Sequence, residues 1–338
     1  MGRAEGFAVN TGDTTGSRRR GRLSVIQGGS EPRCWTATSL ERLSQALDLR
    51  PTGFRRYEAT APETQWPAFP GALLVASAVV AAERSFPGVS VGHISCSFGW
   101  PPRADCPVEV AMSEVHIGKS CITGRLTFRQ GGVVHGEATV LLRSCPSAIP
   151  PGRAGRSPQP GGRARPRPAA TPPRVPASGS SAPHRRPITI TGWDLADVPA
   201  ADNSRPTSDS LVWSRVPGIT SDGTLQRALL AYLSELLPAA AAGAVQYPSQ
   251  PGEVGPAATV LSHAITYCAP FDLRNWLLAT VQSAQPGEGY VHALATCCTT
   301  QGETVATVSQ AIAMSQQRRT AFRCPPQHVR ASIRYGSQ

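Results

Sequence analysis

The chain has 338 residues, 40% of them hydrophobic and 16% charged, enough for two ordinary domains with cores of their own. Its formal charge of +11 is confined to two segments, +3 in residues 1–35 and +8 in residues 151–186, and the remainder is neutral. No aromatics interleave with those arginines, so a specific nucleic-acid surface is excluded as the reading, and the longest apolar run, residues 72–82, is too short for a membrane span.

One lysine, Lys119, stands against 32 arginines, and a compositional bias accounts for that as well as a polyanionic partner would. The basic cluster at Arg18, Arg19 and Arg20 has no apolar stretch behind it, which predicts a cytoplasmic protein without a signal peptide. The nine cysteines follow no CxxC or disulfide framework and read as small buried hydrophobes. No metal or cofactor is expected.

In chain order, residues 1–35 are polar, Gly-rich and basic, and read as a disordered tail. Leu40, Leu43, Leu47 and Leu49 read as one helix behind Ser39, a candidate N-cap. Residues 53–60 alternate as a strand. After Pro70-Gly71 comes a run apolar nearly all round, the mark of a buried helix. Four strand runs follow at 91–100, 108–116, 120–129 and 133–142, joined by Gly- and Pro-containing turns. Residues 146–186 are Pro-, Gly- and Arg-rich, a linker.

Order resumes with a strand at 187–191 and another at 211–216. Ser221 or Asp222 caps a second helix, whose apolar face carries Leu225, Leu229, Tyr232, Leu233, Leu236 and Leu237. Four more strand runs, at 262–267, 275–283, 290–300 and 304–314, are separated by Ala-Pro, Gln-Pro-Gly-Glu-Gly and Gln-Gly-Glu. The chain therefore reads as a helix and four antiparallel strands, twice, an α+β architecture. Its expected parts are a tail (1–35), a first unit (36–145), a linker (146–186), a second unit (187–318) and a C-terminal tail (319–338).

That doubled layout is that of a tandem (double) hotdog, and the local text resembles the acyl-CoA thioesterase II (TesB-like) family. The resembling pieces are PFDLRNWLL (270–278), LQRALLAYLSELL (225–237), QGETVATVSQ (301–310), PITITGWD (187–194) and VWSRV (212–216), with LERLSQALDLRPTGFRR (40–56) and FPGALLVASAVVAA (69–82) in the first half. They are collinear over 40–145 and 187–316. The resemblance implies hydrolysis of fatty acyl-CoA by a water that a carboxylate, a hydroxyl residue and a Gln surround.

Carried over residue by residue, the carboxylate falls on Glu235, where the family has the shorter Asp, and the Gln on Gln310. The hydroxyl position falls on Val260. The family's Asp-His pair becomes Ser262-His263, which leaves Thr259 or Ser262 as the hydroxyl candidates. His263, Tyr267 and Gly71 are candidates for contacting substrate, Gly71 because the family's Gly-Gly-Gln at that helix start is Pro70-Gly71-Ala72 here. On the residues alone a solvated helix charge is the more ordinary reading of Glu235, which the resemblance brings level with catalysis, and Gln310 reads as well as a side chain that bonds a neighbouring backbone. The expected partner is acyl-CoA, with a homo-oligomer open as an assembly. Other readings are a hotdog protein that binds a thioester or hydrophobic ligand without hydrolysis, and a hydratase or dehydratase, against which stands the lack of histidine on either helix.

Overall fold

Two long helices and the strands after them set the fold. The structure, a computed structural model, describes residues 38–62, 68–144, 190–197, 209–241, 257–283 and 290–315. The expected tails, 1–35 and 319–338, and the 146–186 linker lie outside the described residues. No helix among the described residues is long and apolar enough to cross a membrane.

The first half opens with β1 (Thr38–Ser39) and α1 (Leu40–Ala46), whose Ser39 side chain accepts from the Arg42 N–H at 3.2 Å, as the capping pattern requires. The single strand expected over 53–60 is instead a hairpin of β2 (Arg50–Gly53) and β3 (Arg56–Ala59). Its turn puts Arg55 at φ +53°, a conformation held by the Arg55 guanidinium stacked 4.0 Å over Phe86 and paired with Glu114. Then come α2 (Gly71–Ser85), β4 (Val89–Phe98), β5 (Val108–Ile117), β6 (Cys121–Gln130) and β7 (Val133–Ser144). Every residue of α2 from Ala72 to Glu83 is buried, which is why its sequence is apolar on all sides.

The second half holds β8 (Ile190–Thr191), β9 (Asp194–Asp197), β10 (Asp209–Arg215), α3 (Gly223–Ala241), β11 (Ala257–Tyr267), β12 (Leu277–Ser283), β13 (Tyr290–Thr299) and β14 (Thr304–Ser315). At the start of α3 it is Asp222 that caps, its carboxylate accepting from the Thr224 N–H at 2.9 Å. Four-residue β9 is too short to show an alternation, and the sequence pattern does not reveal it.

Twelve of these strands form one antiparallel sheet in the order β2-β3-β5-β6-β7-β4-β11-β14-β13-β12-β10-β9. Read outward from its centre, each half has the same sequence of parts. The seam is the β4–β11 pair, where Ile94 faces Ile265 and Cys96 faces His263. Each central strand also has a register irregularity near its start, between Val91 and His93 in β4 and between Val260 and Ser262 in β11. This is the double hotdog: α2 and α3 pack against each other on the face that carries Ile94 and Ile265.

The helices share a pattern. Each begins at a glycine, Gly71 or Gly223, and carries a glutamate twelve residues on, Glu83 or Glu235. They run antiparallel, so each glutamate reaches the first turn of the other helix. At one end Glu83, 6% exposed, accepts from the Val91 N–H (2.8 Å), the Thr224 hydroxyl (2.6 Å) and both Arg227 Nε and Nη2 (2.6 Å each). A buried ion pair so fully bonded is costly to half-remove. Arg227→Ala should destabilise the fold by about 3–5 kcal/mol in urea unfolding, and Glu83→Leu with Arg227→Met should recover most of that loss.

Candidate functional site

The opposite end of the helix pair is built from the same parts with the partners missing. Glu235 is 7% exposed, and among the described residues nothing donates a hydrogen bond to its carboxylate. The position matching Arg227 is Val75, and that matching Thr224 is Ala72. A Cβ on Gly71 would stand 2.9 Å from Glu235 Oε1, so the carboxylate reaches the start of α2 because residue 71 has no side chain. Burial pushes the Glu235 carboxyl up to about 7. The dipole of α2 works the other way, and burial outweighs it.

That helix start is itself unfilled. Pro70 has no side-chain acceptor, whereas α3 has Asp222. The N–H groups of Leu73 and Leu74 turn back to the Pro70 carbonyl at 3.1 and 3.2 Å. Those of Gly71 and Ala72 have no acceptor among the described residues. Two donors without an acceptor among the described residues and a buried carboxylate with a raised pKa thus meet at one helix start.

The inner face of the sheet closes the site. Gln310 on β14 is fully buried, and its Nε2 donates to the Glu235 main-chain carbonyl at 2.9 Å. Its Oε1 is buried with no partner. Pro238, without an N–H, cannot supply the regular i+4 donor to the Ser234 carbonyl. His263 is the cross-strand neighbour of Gln310 and is 1% exposed. Its Nε2 lies 3.1 Å from the Ser234 Oγ. The Ser234 hydroxyl donates to the Ala231 carbonyl at 2.8 Å, so Nε2 is the protonated ring nitrogen and the bond runs from His263 to Ser234. Nδ1 is then a bare acceptor, buried and without a partner. Burial holds the ring neutral, its pKa lowered to about 3. Cys96, across the seam from His263, has its thiol pushed up by burial first and by the Glu235 charge second, and is inert as a nucleophile.

Glu235, Gln310, His263 and Gly71 therefore meet, and three other candidates do not. Thr259 and Ser262 pair with Ala313 and Ala311, while Val260 pairs with Ile312, whose side chain is buried. Cross-strand partners share a face, so both hydroxyls stand on the outer face and Val260 alone points inward from that trio. Thr259, adjacent to Val260, faces outward by alternation alone, and Ser262 does so because of the extra residue at Leu261, without which it would share the face of Val260. Tyr267 is a core residue at the other end of α3, its hydroxyl donating to the Arg227 carbonyl at 2.7 Å and its ring stacked on Phe271. Arg227 and Glu235 are eight residues apart, about 12 Å along a helix, so Tyr267 is outside this site. Among the described residues no group of three or more His, Cys, Asp or Glu side chains gathers to hold a metal.

Residues 63–143 match the family model of the acyl-CoA thioesterase N-terminal domain, and residues 155–314 that of the acyl-CoA thioesterase C-terminal domain. The chain belongs to the TesB-like acyl-CoA thioesterase family. The two matches together span more than two thirds of it, and they make it a thioester hydrolase with acyl-CoA as its substrate. The fold is shared with a TesB protein of Mycobacterium avium subspecies paratuberculosis (TM-score 0.62, 21% identity, 82% of this chain and 100% of that one). It is shared also with the acyl-CoA thioesterase II TesB2 of Mycobacterium marinum (TM-score 0.61, 21% identity, 82% and 99%). A hot dog fold protein of Alicyclobacillus acidocaldarius is similar at a TM-score of 0.55 and 16% identity, over 82% and 98%. No curated protein matches the chain.

Sequence reasoning missed Ser234, Pro238 and the whole Glu83 cluster of the thioesterase. The signal for the last was present, since the Gly-to-Glu interval of twelve residues occurs in both helices. Two expectations follow from the geometry. Gly71→Ala should fold with near-parental stability, because the atom in its way ends a flexible side chain, but should lower kcat at least about tenfold by displacing the carboxylate. Glu235 has a folded pKa above its ordinary 4.5, so its ionised form weakens the fold: the penalty is absent below pH 4.5, grows to about pH 7 and is constant above. Glu235→Gln should therefore be the more stable protein at pH 8, by up to about 3 kcal/mol, and not at pH 4, as read by chemical denaturation at the two values.

Proposed function

We propose that Glu235 is the general base of a hydrolysis that splits fatty acyl-CoA into free acid and CoA, which would place the protein in lipid metabolism. The thioester carbonyl oxygen lies against the Gly71 and Ala72 N–H groups. Glu235 takes a proton from a water, whose oxygen attacks the carbonyl carbon. The negative charge passing to the carbonyl oxygen is held by the two donors and the α2 dipole. The C–S bond then breaks, the proton on Glu235 goes to the CoA sulfur, and the carbonyl re-forms as the acid. Gln310 Oε1 accepts the hydrogen that the water keeps.

The observation that carries this reading is the contrast between the two ends of the helix pair. Equivalent carboxylates are buried at both, and the one at Glu83 is fully bonded while the one at Glu235 has no donor among the described residues. An uncompensated buried charge weakens the fold, and a functional site is where such a group is expected.

Release of free thiol from a panel of saturated acyl-CoAs tests it. Glu235→Gln should lower kcat by about 10²–10⁴. For the parent, kcat/KM should rise with pH and level off above about 7, as Glu235 loses its proton. Cys96, Tyr232 and His263 are the titratable groups around it, and none has a pKa displaced into that window. Undiminished release by Glu235→Gln would reject the assignment. Acyl-CoA binding by calorimetry with no thiol release by the parent would favour a site that holds the thioester without hydrolysing it, the outcome the apolar Val260 argues for.

A further inference from the structure

We propose that His263 is the water-positioning residue of this thioesterase, its Nδ1 lone pair taking the part of the hydroxyl that Val260 lacks. The inference rests on the reading of Glu235 as the base and adds a residue to it.

Three observations converge. Val260 is apolar, and Thr259 and Ser262 stand on the outer face, so that stretch of β11 sends no hydroxyl toward Glu235. His263 Nδ1 and Gln310 Oε1 are both buried acceptors without a donor, on side chains that are direct neighbours across β11 and β14. Two unpaired acceptors side by side are expensive unless something between them donates, and a water is the smallest molecule that does so. Finally, the imidazole hangs from Ser234, the residue before the base, and Gln310 from the Glu235 carbonyl, so both acceptors are indexed to the same turn of α3.

The chemistry is specific to an acceptor. A hydroxyl both donates and accepts, and it holds a water in either of two orientations. The Ser234–Ala231 relay fixes the His263 proton on Nε2, so Nδ1 only accepts. A water there donates one hydrogen to Glu235 and directs the other between Nδ1 and Oε1. Its lone pairs then point away from all three groups, which is where the thioester carbon has to be. His263 stays neutral throughout and gains no proton.

The test is steady-state thiol release from decanoyl-CoA. His263→Leu removes the acceptor and should lower kcat about 10- to 100-fold, with KM within about twofold and the pH midpoint unchanged. His263→Asn places a carbonyl oxygen near the position of Nδ1 and should retain most of the rate. Val260→Thr, added to His263→Leu, returns a hydroxyl to the inner face and should recover at least about half of the loss on a logarithmic scale. A purely structural histidine would not be rescued by threonine on a neighbouring pleat.

Full kcat in His263→Leu, alongside an inactive Glu235→Gln, would overturn this inference and leave the base assignment standing. So would a folded His263→Leu enzyme, judged by its thermal unfolding, that Val260→Thr does not improve. Should His263→Leu fail to fold, His263→Asn decides: a rate within about threefold of the parent supports the role, and a loss as large as that of Glu235→Gln removes it.

Discussion

A carboxylate buried between two helices has to be compensated, or it draws on the stability of everything around it. Among the described residues two are buried, and the antiparallel packing of α2 and α3 delivers each to the first turn of the opposite helix. At the Glu83 end the compensation is complete: a backbone N–H, a hydroxyl and a guanidinium gripping both oxygens. At the Glu235 end the same frame carries Val75, Ala72 and Gly71 instead, and burial makes the carboxylate take up its proton more readily. The first arrangement pins the helices together. The second leaves a reactive group beside two N–H donors that have no acceptor among the described residues.

The periodicity of the sequence was sufficient for the long elements. The apolar runs of α2 and α3, and the turn-bounded strands β4–β7 and β12–β14, fall close to their expected spans because burial on one face or all faces imposes the pattern directly, while β11 begins five residues before its expected start, ahead of the bulge that interrupts its alternation. Short or strained elements were not visible in this way. The β2–β3 hairpin depends on Arg55 at positive φ, and that conformation is stabilised by Phe86 and Glu114, residues far along the chain. The site shows the same division. Likeness to a family points to Glu235, Gln310 and Gly71, which the fold brings together, whereas a strand's alternation is blind to the one bulged residue that turns Ser262 outward, and Thr259, next to Val260, faces outward by the alternation itself. Tyr267 was misplaced for a simpler reason: β11 runs the length of α3, and a residue seven positions beyond Val260 has already reached the other helix end.

The polar side chains around Glu235 are organised through the backbone of a single helical turn. Pro238 breaks the regular hydrogen bonding just after it. Gln310 binds the carbonyl of Glu235 and His263 the hydroxyl of Ser234, so a shift of that turn moves the base and its two neighbouring acceptors together. The carboxylate reaches the α2 terminus from this anchored turn, past a glycine that leaves just enough room.

The β4–β11 seam has an evolutionary reading. In an assembly of two identical subunits related by a twofold axis, any substitution at one helix end is made at both, so a carboxylate locked for stability in one place is locked in the other. Joining the two units in one polypeptide removes that obligation. Glu83 and Glu235 occupy matching positions yet answer to separate codons. In one polypeptide one end can be a permanent clasp while the other holds a base, so that one half steadies the other.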